Sequence, residues 1–114
     1  MSGFSRIVRF DAVRSVAFGS ITGSFVQLGT PFGHTMRIVK FQNTTDADVI
    51  ISFDGSTLND VIPAGTFSLY DFTSDGPGQD LFVMQLNTPV FIKYSSAPTK
   101  GNFYVTCVYG QGEQ

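Results

Sequence analysis

The chain has 114 residues, of which 42% are apolar and only 14% are charged, and its formal net charge at pH 7 is -2. A chain of this length can form one domain around one two-layer core, which would bury roughly 65% of the unfolded surface. The acidic balance argues against nucleic acid as the main partner, because phosphate binding requires a basic surface. No stretch approaches the ~20 apolar residues of a membrane helix, and a single cysteine excludes an internal disulfide. We therefore expect a protein without a membrane partner that is made in a reducing cytoplasm.

The predicted elements are β-strands. Short runs rich in Val, Ile, Phe, Tyr and Thr alternate with clusters of Gly, Pro, Asn and Asp, and no segment has the apolar period of a helix. In chain order, the predicted strands cover residues 5–10, 13–18, 21–28, 34–43, 48–53, 57–62, 66–72, 81–86, 90–95 and 102–110. The sequence therefore predicts an all-β protein with a single β-sandwich or jelly-roll-like domain of about eight to nine antiparallel strands. This domain would cover residues 13–114, after an N-terminal arm or edge strand at residues 1–12.

Alternation within a strand predicts which side chains share a face. In the strand at 34–43, Met36 and Ile38 are predicted on one face, and Val39 and Phe41 on the other.

The next part of the chain combines a tight turn with a strand. Proline and glycine suit a turn at 62–65, and the strand at 66–72 follows it. Within this strand, Phe67, Leu69 and Asp71 are predicted to share one face.

Few residues suit catalysis. His34 is the only histidine and lies where a loop meets a strand, and a general base needs both a proton partner and an orienting group. Cys107 lies within an alternating apolar strand, which is typical of a buried, inert thiol. Phosphate-binding glycine loops are also absent from the sequence. The sequence predicts no catalytic residue, no cofactor and no enzymatic activity.

Aspartates are concentrated in the middle of the chain, between residues 41 and 80, where there is no Lys or Arg. Carboxylates in loops can bind calcium, but the order of an EF-hand loop is missing. Asp46, Asp54, Asp60 and Asp75 each lie beside a turn signal, and aspartate caps turns by accepting backbone N–H hydrogen bonds. Turn capping is therefore the favoured interpretation, with two loops that converge on an ion as the alternative.

The basic residues are concentrated near the start of the chain, where Asp11 alone opposes them. A basic end and an acidic middle would allow head-to-tail docking with copies of the chain, or with a partner of matching polarity. The candidate inter-subunit contacts are Arg6, Arg9, Arg14, Asp46, Asp54, Asp60 and Asp75.

Several turn motifs of this sequence resemble those of a known group of proteins. The stretches RIVKFQNTTDADVIISFDGSTLNDVIPAGTFSLYDF and APTKGNFYVTCVYGQG resemble a group of small virion structural proteins of tailed bacteriophages. The matching features are the opening Arg-Ile-Val, the N-T-T-D turn, the DG hairpin, the PAG corner with LYDF, the TKG turn and the final YGQG. RFDAVRSVAFGSITGSFVQLGTP fits as well, so the resemblance spans most of the chain. It implies a β-sandwich that joins or covers other virion proteins, and it implies no catalytic residue.

Together these observations predict a non-enzymatic virion subunit, which either forms a ring at the head–neck–tail joint or decorates the capsid. Its expected partners are capsid, portal-neck or tail subunits and further copies of itself, without nucleic acid or membrane. It would be made in the host bacterial cytoplasm and reside in the virion. The alternative is a carbohydrate- or receptor-binding β-domain in which exposed Tyr70, Tyr94 or Tyr104 would stack on a sugar.

Overall fold

The computed structural model describes residues 7–71 and 87–111. Within them, the secondary structure consists of strands and one short 3-10 helix at Phe18–Ser20. The strands are β1 (Ile7–Phe10), β2 (Arg14–Ala17), β3 (Val26–Gln27), β4 (Met36–Asn43), β5 (Val49–Ser52), β6 (Asp60–Ile62), β7 (Phe67–Asp71), β8 (Phe91–Tyr94) and β9 (Asn102–Gln111). The prediction of an all-β sandwich is confirmed. The strand predicted at 81–86 lies outside the described residues.

The strands form two antiparallel sheets that pack into a sandwich. The five-stranded sheet has the order β1-β9-β4-β7, and β2 also pairs with β9; the four-stranded sheet has the order β3-β8-β5-β6. The strand predicted at 21–28 is shorter than expected, because only Val26 and Gln27 pair with β8.

β1 and β2 lie one after the other along the same edge of β9. Phe10 pairs with Val108, and Arg14 pairs with Val105. Between these two pairs, the three residues 11–13 lie opposite the two residues 106 and 107 of β9. One extra residue of this kind is a β-bulge, which bends an edge strand. The amide of Asp11 still donates to the carbonyl of Cys107 at 2.9 Å. Part of the N-terminal segment is therefore a paired edge strand.

The core fills the space between the two sheets. Its largest fully buried side chains include Phe32, Phe41 and Phe103, and the ring centroids of Phe41 and Phe103 are 6.1 Å apart. Cys107 belongs to this core, as predicted. Burial disfavours the thiolate and raises the pKa of Cys107 to about 11.

A bulge in β4 makes one prediction about side-chain faces wrong. Met36 pairs with Tyr109, whereas Ile38 pairs with Val108, so Arg37 is an extra residue in β4. This insertion reverses the alternation at that point. Met36 is therefore buried with Val39 and Phe41 instead of sharing a face with Ile38.

The tight turn predicted at 62–65 is displaced by one residue. The amide of Thr66 donates to the carbonyl of Pro63 at 3.1 Å, which closes a turn over 63–66. Gly65 has a φ of 73°, the left-handed conformation that glycine adopts without a steric cost.

Candidate functional site

The candidate site is the outer face of the five-stranded sheet, which is the face turned away from the four-stranded sheet. On β7, Phe67 is 61% exposed and Leu69 is 52% exposed, and Asp71 is exposed beside them. The predicted shared face of these three residues is confirmed. On β1, Phe10 is 72% exposed. Large apolar side chains are usually buried, so their presence on one sheet face is unusual.

Strand register places these side chains on the same face of the sheet. Directly opposite residues of antiparallel strands lie on the same face. Phe10 pairs with Val108, and Val108 pairs with Ile38, so these three form one row across β1, β9 and β4. On β7 this row ends at Asp71, the partner of Ile38, and Leu69 and Phe67 precede Asp71 by two and four positions on the same face. The apolar diagonal, as we name it, consists of Phe10, Val108, Ile38, Leu69 and Phe67.

Polar side chains lie beside the apolar diagonal. Lys40 of β4 pairs with Leu69 on one side and with Thr106 on the other, and Gln42 pairs with Phe67 and with Tyr104. The Nζ atom of Lys40 lies 5.5 Å from the centroid of the Phe67 ring, close enough for a cation–π attraction. The outer face therefore combines exposed apolar side chains with a neighbouring cation and amides.

A second region, which we name the loop end, consists of the loops at 44–48, 63–66 and 95–101. Its centre is Asn43, which is 1% exposed. The Nδ2 atom of Asn43 donates to the carbonyls of Ala47 and Ile62, each at 2.8 Å. Its Oδ1 atom accepts from the amide of Thr45 at 2.9 Å and from the Thr45 hydroxyl at 2.6 Å. One buried amide therefore joins the end of β4 to the following loop and to β6.

Gly101 allows two loops of the loop end to meet. Its φ is 93°, and a Cβ atom at this position would lie 2.3 Å from the carbonyl oxygen of Thr44. Thr44 also donates its amide to the carbonyl of Asn102 at 2.9 Å, and the Asn102 amide donates to the Thr44 hydroxyl at 3.0 Å. Only glycine fits this close approach of the two backbones.

Asp46 links two loops of the loop end. It accepts hydrogen bonds from the amide of Thr99, at 2.7 Å, and from the Thr99 hydroxyl. These bonds to the charged form, foremost the one from the hydroxyl, lower the pKa of Asp46 below its usual value. Asp48 has a similar role, because it accepts from the amide of Ala64 at 3.0 Å.

Asp54 caps a local turn between β5 and β6. It accepts from the amides of Ser56 and Thr57 at 2.9 and 2.7 Å, and from the hydroxyl of Ser52 at 2.8 Å. The amide hydrogen bonds, first of all that of Thr57, hold the pKa of Asp54 far below its usual range. The turn-capping interpretation is confirmed for Asp54.

Asp60, at the start of β6, accepts from the hydroxyl of Tyr70 and from the amide of Val61, the latter at 2.8 Å. Three of the four candidate carboxylates are thus engaged within the chain, and the fourth, Asp75, lies outside the described residues. Within residues 7–71 and 87–111, no three His, Cys, Asp or Glu side chains come together as a metal site would require.

The candidate arginines occupy different environments. Arg14 is half-buried at the edge of the sandwich, where its guanidinium lies 3.8 Å from the carboxylate of Asp11 and 5.1 Å from the centroid of the Phe32 ring. Arg14 also donates to the carbonyl of Thr30. Arg9 lies on β1 and pairs with Tyr109, whereas Arg6 is outside the described residues. The inter-subunit role of these arginines and carboxylates stays a prediction.

The aromatic residues named for other functions are also packed. His34 stacks on Tyr109 with ring centroids 3.7 Å apart and an interplanar angle of 4°. Tyr70 and Tyr94 pack against the core. Tyr104 is half-buried, and its hydroxyl accepts a hydrogen bond from the side-chain Nδ2 atom of Asn102 at 3.1 Å. These positions do not provide the exposed tyrosine platform expected for a sugar-binding domain.

No family model matches the chain, and no curated protein matches it. Within the described part of the chain, no helix has the length and apolar character needed to cross a membrane.

Sequence reasoning did not identify the outer face as a site. The candidate contacts predicted from the sequence are charged residues, whereas the unusual side chains of the outer face are apolar. One signal was present, because Phe67 and Leu69 were predicted to share a face with Asp71, and a charged residue rarely faces a core.

Proposed function

We propose that this chain is a non-enzymatic structural subunit of a tailed-phage virion, which packs against other virion subunits either in a ring at the head–neck–tail joint or as capsid decoration. The proposal combines two independent supports. One is the resemblance of the turn motifs to small virion structural proteins, and the other is the outer face of the five-stranded sheet.

The outer face is the observation that carries the proposal. Three large apolar side chains, Phe10, Phe67 and Leu69, are each more than half exposed on this one face, and Phe67 and Leu69 are neighbours along β7. Single exposed apolar residues are common, but contiguous exposed apolar patches mark surfaces that bind other proteins. A subunit whose role is to be surrounded by neighbours would have such a surface.

The loop end supports the same role in a different way. Asp46 and Asp48 hold its loops in shape through hydrogen bonds from within the chain. A scaffold with fixed loops loses little conformational freedom on assembly. The carboxylates would then contribute to assembly by maintaining the shape of the loops.

The direct test is the protein composition of purified particles. Phage particles that contain this gene would be purified by density gradient, and their proteins quantified by mass spectrometry against labelled peptides of this chain. We expect several copies per particle, in a fixed ratio to the other structural proteins. Absence of the chain from particles, combined with its presence in the lysate, would contradict the proposal.

A further inference from the structure

We propose that the Asp54–Gly55 pair is a latent site of isoaspartate formation, and that Ser52 prevents this reaction in the folded protein. Aspartate followed by glycine is the sequence in which the reaction meets the least steric resistance, because glycine has no side chain beside the attacking nitrogen. The pair lies in the loop between β5 and β6. This inference goes beyond the proposed function and does not depend on it.

The reaction needs only water and groups that the loop contains. The amide nitrogen of Gly55 forms a bond to the side-chain carboxyl carbon of Asp54, and the amide proton leaves with the carboxyl hydroxyl as water. A second water molecule then opens the resulting succinimide ring at either of its carbonyls. Opening at the former main-chain carbonyl leaves an isoaspartate, in which the chain runs through the side chain. The turn that Asp54 caps would then lose its shape.

The carboxyl group of Asp54 is held in its unreactive form. Cyclisation proceeds through the protonated acid, because an ionised carboxylate has no hydroxyl to release. In the folded protein, Oδ1 of Asp54 accepts hydrogen bonds from the amides of Ser56 and Thr57 at 2.9 and 2.7 Å. These bonds, first of all that of Thr57, stabilise the carboxylate and lower the pKa of Asp54 far below its usual value.

Ser52 contacts both reacting groups. The amide of Gly55 donates to Oγ of Ser52 at 2.9 Å, and the amide of Asp54 donates to the same oxygen at 3.2 Å. The Ser52 hydroxyl donates in turn to Oδ1 of Asp54 at 2.8 Å. Ser52 is fully buried, so water does not compete for these bonds. One hydroxyl therefore holds the attacking nitrogen and the carboxylate in fixed orientations.

Packing restricts the backbone at the attacking residue. Gly55 has a φ of 86°, and a Cβ atom at this position would lie 3.4 Å from the ring of Phe91, so the backbone lies against that ring. Ring closure would rotate this backbone and release the amides of Ser56 and Thr57 from Asp54. The loop must therefore open before the reaction, and the rate falls with the fraction of molecules in which it is open.

The first experiment compares the folded and the unfolded chain. The wild type would be incubated at neutral pH and physiological temperature, in native buffer and in urea, and isoaspartate at position 54 would be quantified by peptide mass spectrometry. We expect the reaction to be at least about tenfold slower in native buffer, because only open loops react. Equal rates in the two solutions would overturn the inference.

Two serines of the same loop provide a matched pair of variants. Ser52→Ala removes the hydroxyl that contacts both reacting groups. Ser56→Ala removes an exposed hydroxyl 3.5 Å from Oδ1 of Asp54 and keeps the amide bond of residue 56. In native buffer, Ser52→Ala should form isoaspartate several-fold faster than the wild type, and Ser56→Ala at the wild-type rate. A rate for Ser52→Ala no higher than that for Ser56→Ala would contradict the role of Ser52.

Asn43→Ala separates a local opening of the loop from unfolding of the whole domain. Asn43 acts at the loop end, at the opposite end of β5 from Asp54. Urea unfolding midpoints would be measured for the wild type and all three variants. We expect Asn43→Ala to keep the wild-type rate at position 54 although its midpoint falls. Rates that follow the midpoints in every variant would show that global unfolding exposes the site, and would refute the role assigned to Ser52.

Discussion

The loop end and the outer face of the five-stranded sheet differ in which residues are engaged within the chain and which are exposed. At the loop end, polar side chains are joined to each other and to the backbone, and Asn43 has hydrogen bonds on both of its amide atoms. On the outer face, Phe10, Phe67 and Leu69 are largely exposed. Asp46 and Asp54, which the sequence suggested as docking contacts, instead hold loops in shape. The apolar side chains of the outer face, a residue type that is usually buried, form part of the surface.

The difference follows from what each residue type requires. A buried polar group needs a hydrogen-bond partner, so the loop end is specified by its polar contacts. An exposed apolar side chain needs no partner for folding, but it gains free energy when a neighbour covers it. Stability should therefore respond to changes at the loop end, and association to changes on the outer face.

The largest effect on stability is expected for Gly101→Ala at the loop end. The added Cβ would meet the Thr44 carbonyl, and the positive φ would be strained, so the free energy of unfolding should fall by about 3–4 kcal/mol. Urea denaturation measures this change.

Two other glycines provide matched controls for Gly101. Gly65 has a positive φ but no atom within 4 Å of an added Cβ, so Gly65→Ala should cost only about 1 kcal/mol. Gly33 has open space and no positive φ, so Gly33→Ala should be nearly neutral. Equal losses at all three positions would contradict the close approach of the two loops.

Asn43→Ala should have the next largest effect. The substitution removes the buried hydrogen bonds to the Ile62 carbonyl and from the Thr45 amide, so a loss of about 2–3 kcal/mol is expected in the same assay. Asn59→Ala is the control, because Asn59 is exposed and accepts one bond, from the Phe53 amide. A smaller loss at position 43 than at position 59 would show that the buried amide does not hold the loop end together.

The outer face should tolerate a polar substitution in the monomer. Leu69→Thr is expected to change the free energy of unfolding by no more than about 0.5 kcal/mol, because Leu69 is exposed and threonine suits a strand. Urea denaturation at a concentration well below that of association would check this. A loss of several kcal/mol would mean that Leu69 supports the fold rather than a contact.

The smallest effect on stability is expected for Asp54 and concerns pH. Its pKa is lowered in the folded state, so its hydrogen bonds contribute stability above the unfolded pKa near 3.8 and lose this contribution as the pH falls toward the folded pKa. Asp54→Asn should therefore show a shallower loss of stability below about pH 4 than the wild type. Parallel acid unfolding curves for the two proteins would exclude this contribution.

Several features of the fold could be predicted from the sequence. The alternation of β-branched and aromatic residues with turn signals indicated the two sheets, and the position of Cys107 in its strand indicated its burial. The turn chemistry of Asp54 was also readable, because its partners Ser56 and Thr57 lie close by in the chain.

Other features depend on contacts between distant residues. Asp46 bonds to Thr99, which no local pattern could indicate. The bulge at Arg37 depends on the register with β9, and it moved Met36 to the opposite face from the one predicted. The outer face likewise exists only after β1, β9, β4 and β7 come together, so the sequence did not reveal which apolar residues remain exposed.

Thiol labelling would test most directly whether the outer face is covered by a neighbour. Cys107 is fully buried and has a raised pKa, so it should react slowly and leave a low background. The variants Leu69→Cys and Leu58→Cys would each be labelled with a small thiol reagent, both as the free protein and in purified particles. We predict that labelling at position 69 is several-fold slower in particles than in the free protein, whereas labelling at position 58 is the same in both. Equal rates in particles and in the free protein at both positions would contradict this claim.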